Sequence, residues 1–158
     1  MIRNAEVADV PVIHAMIREL AEYEKVPHEA RATEEQLRQA LFGESPAVFA
    51  HIAETEEGEA VGFSVWFLSF STWRGVHGIY LEDLYVRPGV RGGGHGRALL
   101  AELARTCVER GYERLEWSVL DWNLSAIEFY RSVGAVSMDE WTVNRLTDDA
   151  LRKLAGAE

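Results

Sequence analysis

Apolar residues near the start of the chain recur at steps of three and four, at Val10, Ile13, Ile17 and Leu20. This spacing puts them on one face of a helix and predicts that the helix runs to about Tyr23. Asp9 is placed to cap this helix, and Pro11 falls in its first turn.

Runs rich in aliphatic and aromatic residues predict strands at 2–4, 47–54, 60–70, 78–86 and 114–120, and one or two more within 136–146. Helical patterns fall between them and after them, at 33–42, 94–110, 125–132 and 147–155. The first of these opens with a capping box at Thr33. The second has an apolar stripe that we expect to include Cys107 and Val108, and Gly111 is placed to end it. Strands alternating with helices predict one α/β domain over residues 1–158.

The composition narrows the classes of function. The net charge is −10 and Lys and Arg form no cluster, so we expect no binding to nucleic acid. No apolar run is long enough to span a bilayer, and the first residues do not resemble a signal peptide, so we expect no membrane partner. Cys107 is the only cysteine, which fits a cytoplasmic protein. The acidity favours cationic ligands, although it equally fits a role in solubility alone.

A glycine-rich segment lies between a predicted strand and a predicted helix, where residues 89–96 read Gly-Val-Arg-Gly-Gly-Gly-His-Gly. Glycine permits close backbone approach, and a helix N-terminus offers unpaired N–H groups, so the segment predicts a cradle for phosphate oxygens. The glycines alone also fit a flexible surface turn. A P-loop would need Lys at His95, and the dinucleotide fingerprint would need Gly at Arg97. The pattern that remains is Arg91-x-x-Gly94-x-Gly96.

That pattern matches the pyrophosphate-binding signature of the GNAT superfamily of acetyltransferases. Further segments resemble its polyamine and thialysine acetyltransferase branch, namely residues 16–25, 71–75, 80–86, 119–123 and 150–156. They run from near the start of the chain to its end. Ser71-Thr72-Trp73 and the segment from Leu120 to Asn123 look closer to the thialysine enzymes than to the spermidine/spermine enzyme.

The resemblance implies a single-domain α/β fold whose mixed, mostly antiparallel central sheet is flanked by helices. Two central strands would splay apart to admit the pantetheine arm of acetyl-CoA, the co-substrate. The contacts that it implies for acetyl-CoA are Leu84, Tyr85, Val86, Arg91, Gly92, Gly93, Gly94, His95, Gly96, Arg97, Asn123 and Ser125. It also implies a homodimer with active sites near the subunit interface. No metal is expected, because the five histidines have no ligand spacing.

The chemistry of the implied reaction needs a base and an acid. A substrate ammonium has a pKa of about 10.4 and must lose a proton before its nitrogen can attack. By resemblance Glu82 is the general base, acting directly or through a water, and Tyr130 is the general acid that protonates the leaving thiolate. A peptide N–H near Tyr85 would stabilise the negative charge on the thioester oxygen. Neighbouring strand residues point to opposite faces, so Glu82 and Asp83 can enter one cleft only with a bulge or a dimer partner.

The resemblance also gives an acidic and aromatic mouth for the amine, formed by Tyr23, Glu24, Glu82 and Asp83. Taken without it, the same residues fit a solvated helix end and a solvated pair at a strand edge. Tyr130 with its neighbour then fits an ordinary packing pair, and Asn123 a helix cap. Ser71 stands where the spermidine/spermine enzyme has an acidic residue, which argues against a long polyamine substrate.

The sequence therefore predicts an acetyl-CoA-dependent N-acetyltransferase that acts on a primary amine of a small cation, such as a thialysine-like amino acid or a di- or polyamine. Direct attack in a ternary complex is expected, because Cys107 lies on the apolar stripe and is not a nucleophile. Two alternatives stay open at this point. One is an acetyltransferase for protein lysines or N-termini, and the other is a non-catalytic module that binds acetyl-CoA.

Overall fold

A computed structural model describes residues 1–157 of the chain. Its strands are β1 (Ile2–Asn4), β2 (Phe49–Glu54), β3 (Ala60–Ser71), β4 (Val76–Val86) and β5 (Leu115–Glu116). Its helices are α1 (Val10–Tyr23), α2 (Glu34–Phe42), α3 (His95–Arg110), α4 (Leu124–Ser132) and α5 (Asp148–Leu154). The residues form two compact units, the first from Met1 to Leu120 and the second from Asp121 onward. That 1–158 is one domain stays a prediction.

The first unit is built on one sheet with the strands in chain order, β1-β2-β3-β4-β5. The first four strands are antiparallel neighbours, whereas β5 runs parallel to β4. The predicted mixed, mostly antiparallel α/β fold is therefore confirmed. Ile79 and Tyr80 of β4 pair with Leu115 and Glu116 of β5. Within residues 1–157 strand pairing on this side of β4 stops there, although β4 continues to Val86, so residues 81–86 have no partner strand on that edge.

A buried cluster joins α1 and α2 to one face of this sheet. Its members are Ile13, Met16, Leu41, Ala50, Ile52, Phe63 and Tyr85. The predicted apolar spacing of α1 produces this packing, because Ile13 and Met16 are fully buried on one helix face. On α3, Leu99, Leu103 and Cys107 are buried as expected.

Asp9 does not cap α1 as predicted. It stands at the N-cap position without a side-chain bond to the helix. Its carboxylate instead accepts two bonds from the Arg3 guanidinium, at 2.7 and 2.9 Å, and one from the Glu6 N–H. The bonds from Arg3 hold the pKa of Asp9 below its ordinary value. The carboxylate is thus used to anchor the first strand.

Three further predictions are wrong in detail. Val108 is 80% exposed, because the buried stripe of α3 is too narrow to include the residue next to Cys107. The strand predicted at 114–120 is limited to Leu115 and Glu116, where β4 offers paired backbone groups. Residues 136–146 form no strand, because the alternation that predicted one does not by itself supply a partner strand.

None of the helices described in residues 1–157 combines the length and the apolar character that a membrane span requires.

Candidate active site

A concave turn precedes α3 at the predicted phosphate cradle. Gly92 and Gly94 adopt φ values of 92° and 81°, in the left-handed region that glycine tolerates best. A Cβ added at either position would meet no atom within 4 Å, so the space on that side of the turn is open. The glycines are therefore required by backbone conformation and leave room for a ligand.

The start of α3 supplies free hydrogen-bond donors to this turn. The first backbone bond of the helix runs from Ala98 N to Gly94 O, at 2.9 Å. In the part of the chain that the structure describes, the N–H groups of residues 94–97 donate to no backbone oxygen. Four free donors at a positive helix end match the needs of a phosphate anion.

Arg91 connects the turn to two neighbouring elements. Its Nε donates to the Val86 carbonyl at the end of β4, at 2.9 Å. Its guanidinium carbon lies 5.2 Å from the ring centroid of Tyr23 and 5.8 Å from that of Tyr85. Nothing in the sequence predicts this stacking. It occupies a face of Tyr23, the ring that we expected to attract the substrate cation.

β4 carries an extra residue at Glu82. Val65 of β3 pairs with Asp83 and Trp66 pairs with Leu81, so Glu82 has no partner across the ladder. An inserted residue breaks the two-residue alternation, so side chains before and after it exchange faces of the sheet. Such a bulge is one condition under which two neighbouring strand carboxylates can enter the same cleft.

The bulge turns Asp83 towards the α1 face of the sheet. Phe63 belongs to the buried cluster beneath α1, and Val65 packs against that cluster. Tyr85 is opposite Phe63 and Asp83 is opposite Val65 in the register, so both share that face. Glu82 is exposed, whereas Asp83 is partly buried.

Tyr80 shares the same face but was not predicted as a site residue. It is opposite Phe67, and the two ring centroids are 5.2 Å apart. Its hydroxyl hydrogen-bonds the Ser118 hydroxyl at 2.9 Å, just beyond the point where β4 and β5 stop pairing. No sequence signal could have found it, because its face depends on the bulge.

Two other carboxylates, those of Glu82 and Glu24, act on the carboxylate of Asp83. Burial, and to a lesser extent the charges of Glu82 and Glu24, together raise the pKa of Asp83 to about 7. Burial also raises the pKa of Glu24, the residue that ends α1. Carboxylates that act on one another's charge in this way are suited to a cationic ligand, because a nearby positive charge stabilises their ionised forms.

Among residues 1–157, no three His, Cys, Asp or Glu side chains form a group that could hold a metal ion.

Ser71 is the position that departs from the spermidine/spermine pattern. Its hydroxyl accepts the Arg74 N–H at 3.1 Å, and the residue is 9% exposed. Its hydroxyl therefore stabilises the β3–β4 turn.

The second unit holds the remaining predicted residues. Tyr130 lies on α4, with its ring centroid 5.4 Å from that of Phe129. Asn123 caps the helix, because its side-chain oxygen accepts the Ala126 N–H, and the Ser125 hydroxyl donates to the same oxygen at 3.4 Å. The cap fits the simpler of the two interpretations of Asn123.

Comparisons with known proteins agree with this architecture. The profile of the Acetyltransferase (GNAT) family matches residues 13–135. Thialysine N-epsilon-acetyltransferase of Bos taurus is 40% identical and covers 99% of this chain and 97% of its own. L-ornithine N5-acetyltransferase NATA1 of Arabidopsis thaliana is 31% identical over 97% of this chain and 86% of its own. An integron cassette protein of V. cholerae superposes with a TM-score of 0.82 at 27% identity, covering 99% of this chain and 98% of the other.

Proposed function

The chain belongs to the acetyltransferase (GNAT) family and is an N-acetyltransferase, and from this we propose that it acetylates a primary amine of a small cation with acetyl-CoA. Thialysine-like amino acids are the first candidates, because similar full-length proteins carry that name. Ornithine and di- or polyamines come next, since relatives named for ornithine and for spermidine/spermine also match. The single observation that carries the proposal is the open turn with free donors before α3.

The residues of that turn fit the diphosphate of coenzyme A. The N–H groups of residues 94–97 would bind its oxygens, and the positive φ of Gly92 and Gly94 keeps side chains out of the space that the ligand needs. Among the described residues no acceptor besides the Val86 carbonyl is found for Arg91, so its terminal nitrogens remain for a phosphate. Acetyl-CoA supplies the activated acetyl thioester.

The open edge of β4 suits the acyl end of this ligand. Beyond Tyr80 the peptide groups on that edge have no strand partner, so an N–H near Tyr85 can donate to the thioester oxygen as negative charge develops. Leu84 and Val86 flank that position and would contact the pantetheine arm.

Two groups of this chain move the protons. A carboxylate at the bulge, where the resemblance gives Glu82, takes the proton of the substrate ammonium and leaves a nucleophilic amine. The phenol of Tyr130 gives its proton to the departing sulfur. Glu24 and the remaining carboxylate hold the substrate's positive charge. The homodimer and the cytoplasmic location stay predictions.

A thiol-release assay with acetyl-CoA tests the proposal directly. The panel contains thialysine, lysine, ornithine, putrescine and spermidine, together with a lysine peptide whose N-terminus is blocked. We expect turnover of at least one free amine and little turnover of the peptide. Turnover of the peptide alone would favour a protein acetyltransferase, and binding of acetyl-CoA without turnover of any amine would favour a non-catalytic module.

A further inference from the structure

We infer that Asp83, and not its exposed neighbour Glu82, accepts the proton from the substrate ammonium, an inference that rests on the proposed function. The resemblance assigns this step to Glu82. The register of β4 points to the next residue.

The bulge separates the roles of the two carboxylates. Asp83 keeps its place in the ladder opposite Val65, so the backbone on both strands fixes its position. Glu82 is the inserted residue, has no partner on β3 and is exposed. A proton acceptor must be held within hydrogen-bond reach of the amine, and the anchored residue meets that need better than the exposed one.

The surroundings of Asp83 make it the stronger base. The charged groups that act on it are Glu82 on its own strand and Glu24 at the end of α1, and β3 presents the apolar Val65. Burial and these like charges bring its pKa to about 7. An ordinary carboxylate has a pKa of about 4, roughly three units further from that of an ammonium near 10.4. A base whose pKa is near the working pH combines a substantial ionised fraction with a high affinity for the proton.

Acetyl transfer to the amine breaks one N–H bond before the new bond to carbon forms. An N–H bond of the ammonium breaks and its proton goes to a carboxylate oxygen of Asp83. The freed nitrogen lone pair bonds to the acetyl carbon, the carbon–sulfur bond breaks, and sulfur keeps that electron pair. The nitrogen, which is positively charged once it has bonded to the acetyl carbon, loses a second proton to water and becomes the neutral amide. Tyr130 protonates the sulfur and recovers a proton from water, and Asp83 releases its proton to water, so that one proton is released for each acetyl group transferred.

Carboxyl-carbon NMR of the ligand-free protein tests the ionisation without any turnover. The wild type should show one aspartate carboxyl that titrates near a pH of about 7. Asp83→Asn should remove that signal. Glu82→Gln should keep it and move it to lower pH, because a neighbouring negative charge is lost. Retention of the signal in Asp83→Asn would overturn the assignment.

The pH profile of kcat/KM tests the role. We expect Asp83→Asn to lower kcat/KM by roughly a hundredfold or more and to flatten the acid limb. Glu82→Gln should keep an acid limb, moved to lower pH, with its main effect on KM for the amine. An acid limb that survives in Asp83→Asn and vanishes in Glu82→Gln would overturn the inference and return the role to Glu82.

Two controls separate the possible failures. Acetyl-CoA affinity, measured by calorimetry, should be unchanged in Asp83→Asn if the variant is folded, and a lost affinity would contradict a role limited to the amine. Wild-type protein that turns over no amine would overturn the proposed function and this role together. Normal wild-type turnover with full activity in Asp83→Asn would overturn this role alone.

Discussion

Gly94 and Gly58 form a matched pair for testing the cradle. Their φ values are 81° and 82°, and a Cβ on either would meet no atom within 4 Å. Alanine at each position should therefore cost a similar amount of stability, about 1–2 kcal/mol for an L-residue in the left-handed region. Only Gly94→Ala should also weaken acetyl-CoA binding, by roughly tenfold, because it lies at the phosphate turn. Calorimetry with both variants checks this, and equal affinities would contradict the assigned cradle.

Ser64 offers a test of the packing beneath α3. It is fully buried, and its hydroxyl has no hydrogen-bond partner within residues 1–157. Removing an unpaired buried hydroxyl removes a desolvation cost, so Ser64→Ala should raise the free energy of unfolding by about 1 kcal/mol. Ser71→Ala is the control and should lose about 1 kcal/mol, because the Ser71 hydroxyl accepts the Arg74 N–H. Urea unfolding measures both, and a clear loss for Ser64→Ala would reveal a partner for its hydroxyl.

At the scale of elements, the end of α1 tunes the base on β4. The charge of Glu24 raises the pKa of Asp83. Glu24→Gln should therefore lower that pKa, and the acid limb of kcat/KM should move to lower pH. Glu22→Gln removes an exposed charge from the same helix that does not act on Asp83, and its acid limb should stay in place. The same displacement in both variants would show that only the overall charge matters.

The elements that the sequence predicted well are those with local signals. The capping box at Thr33 forms as expected, with Gln36 N donating to the Thr33 hydroxyl at 3.1 Å, and Gly111 ends α3 with φ of 73°. The bulge at Glu82 could not be predicted, because it is a property of the register between two strands. The absence of strand at 136–146 has a similar cause, since alternation alone does not supply a partner edge.

The same contrast between local signals and long-range contacts applies to the residues of the candidate site. The glycine turn was predicted from its own residues, and Arg91 and Asp83 from motifs that resemble the family's, because both kinds of signal are contained in short stretches of the chain. The stacking of Arg91 on Tyr23 and the side of the sheet that carries Tyr80 depend on distant segments, so neither could be derived from spacing.

For the molecule as a whole, Asp83 links function to stability. Its pKa in the folded protein, about 7, is above its ordinary value of 3.8. Stability associated with its protonated form is therefore complete below about pH 4 and is lost as the pH rises through 7. Asp83→Asn should match the wild type near pH 4 and exceed it at about pH 8, by the order of a few kcal/mol. Denaturant unfolding at both pH values checks this, and a variant less stable at pH 8 would contradict the buried-charge account.

The central claim is that the peptide N–H groups at the start of α3 bind the diphosphate of coenzyme A. Amide NMR during a titration with acetyl-CoA tests it most directly, because each N–H reports its own hydrogen bond. The account predicts that the largest downfield shifts fall on residues 94–97 and that Gly58 is unaffected. Saturable binding that leaves the amides of 94–97 unmoved would contradict it.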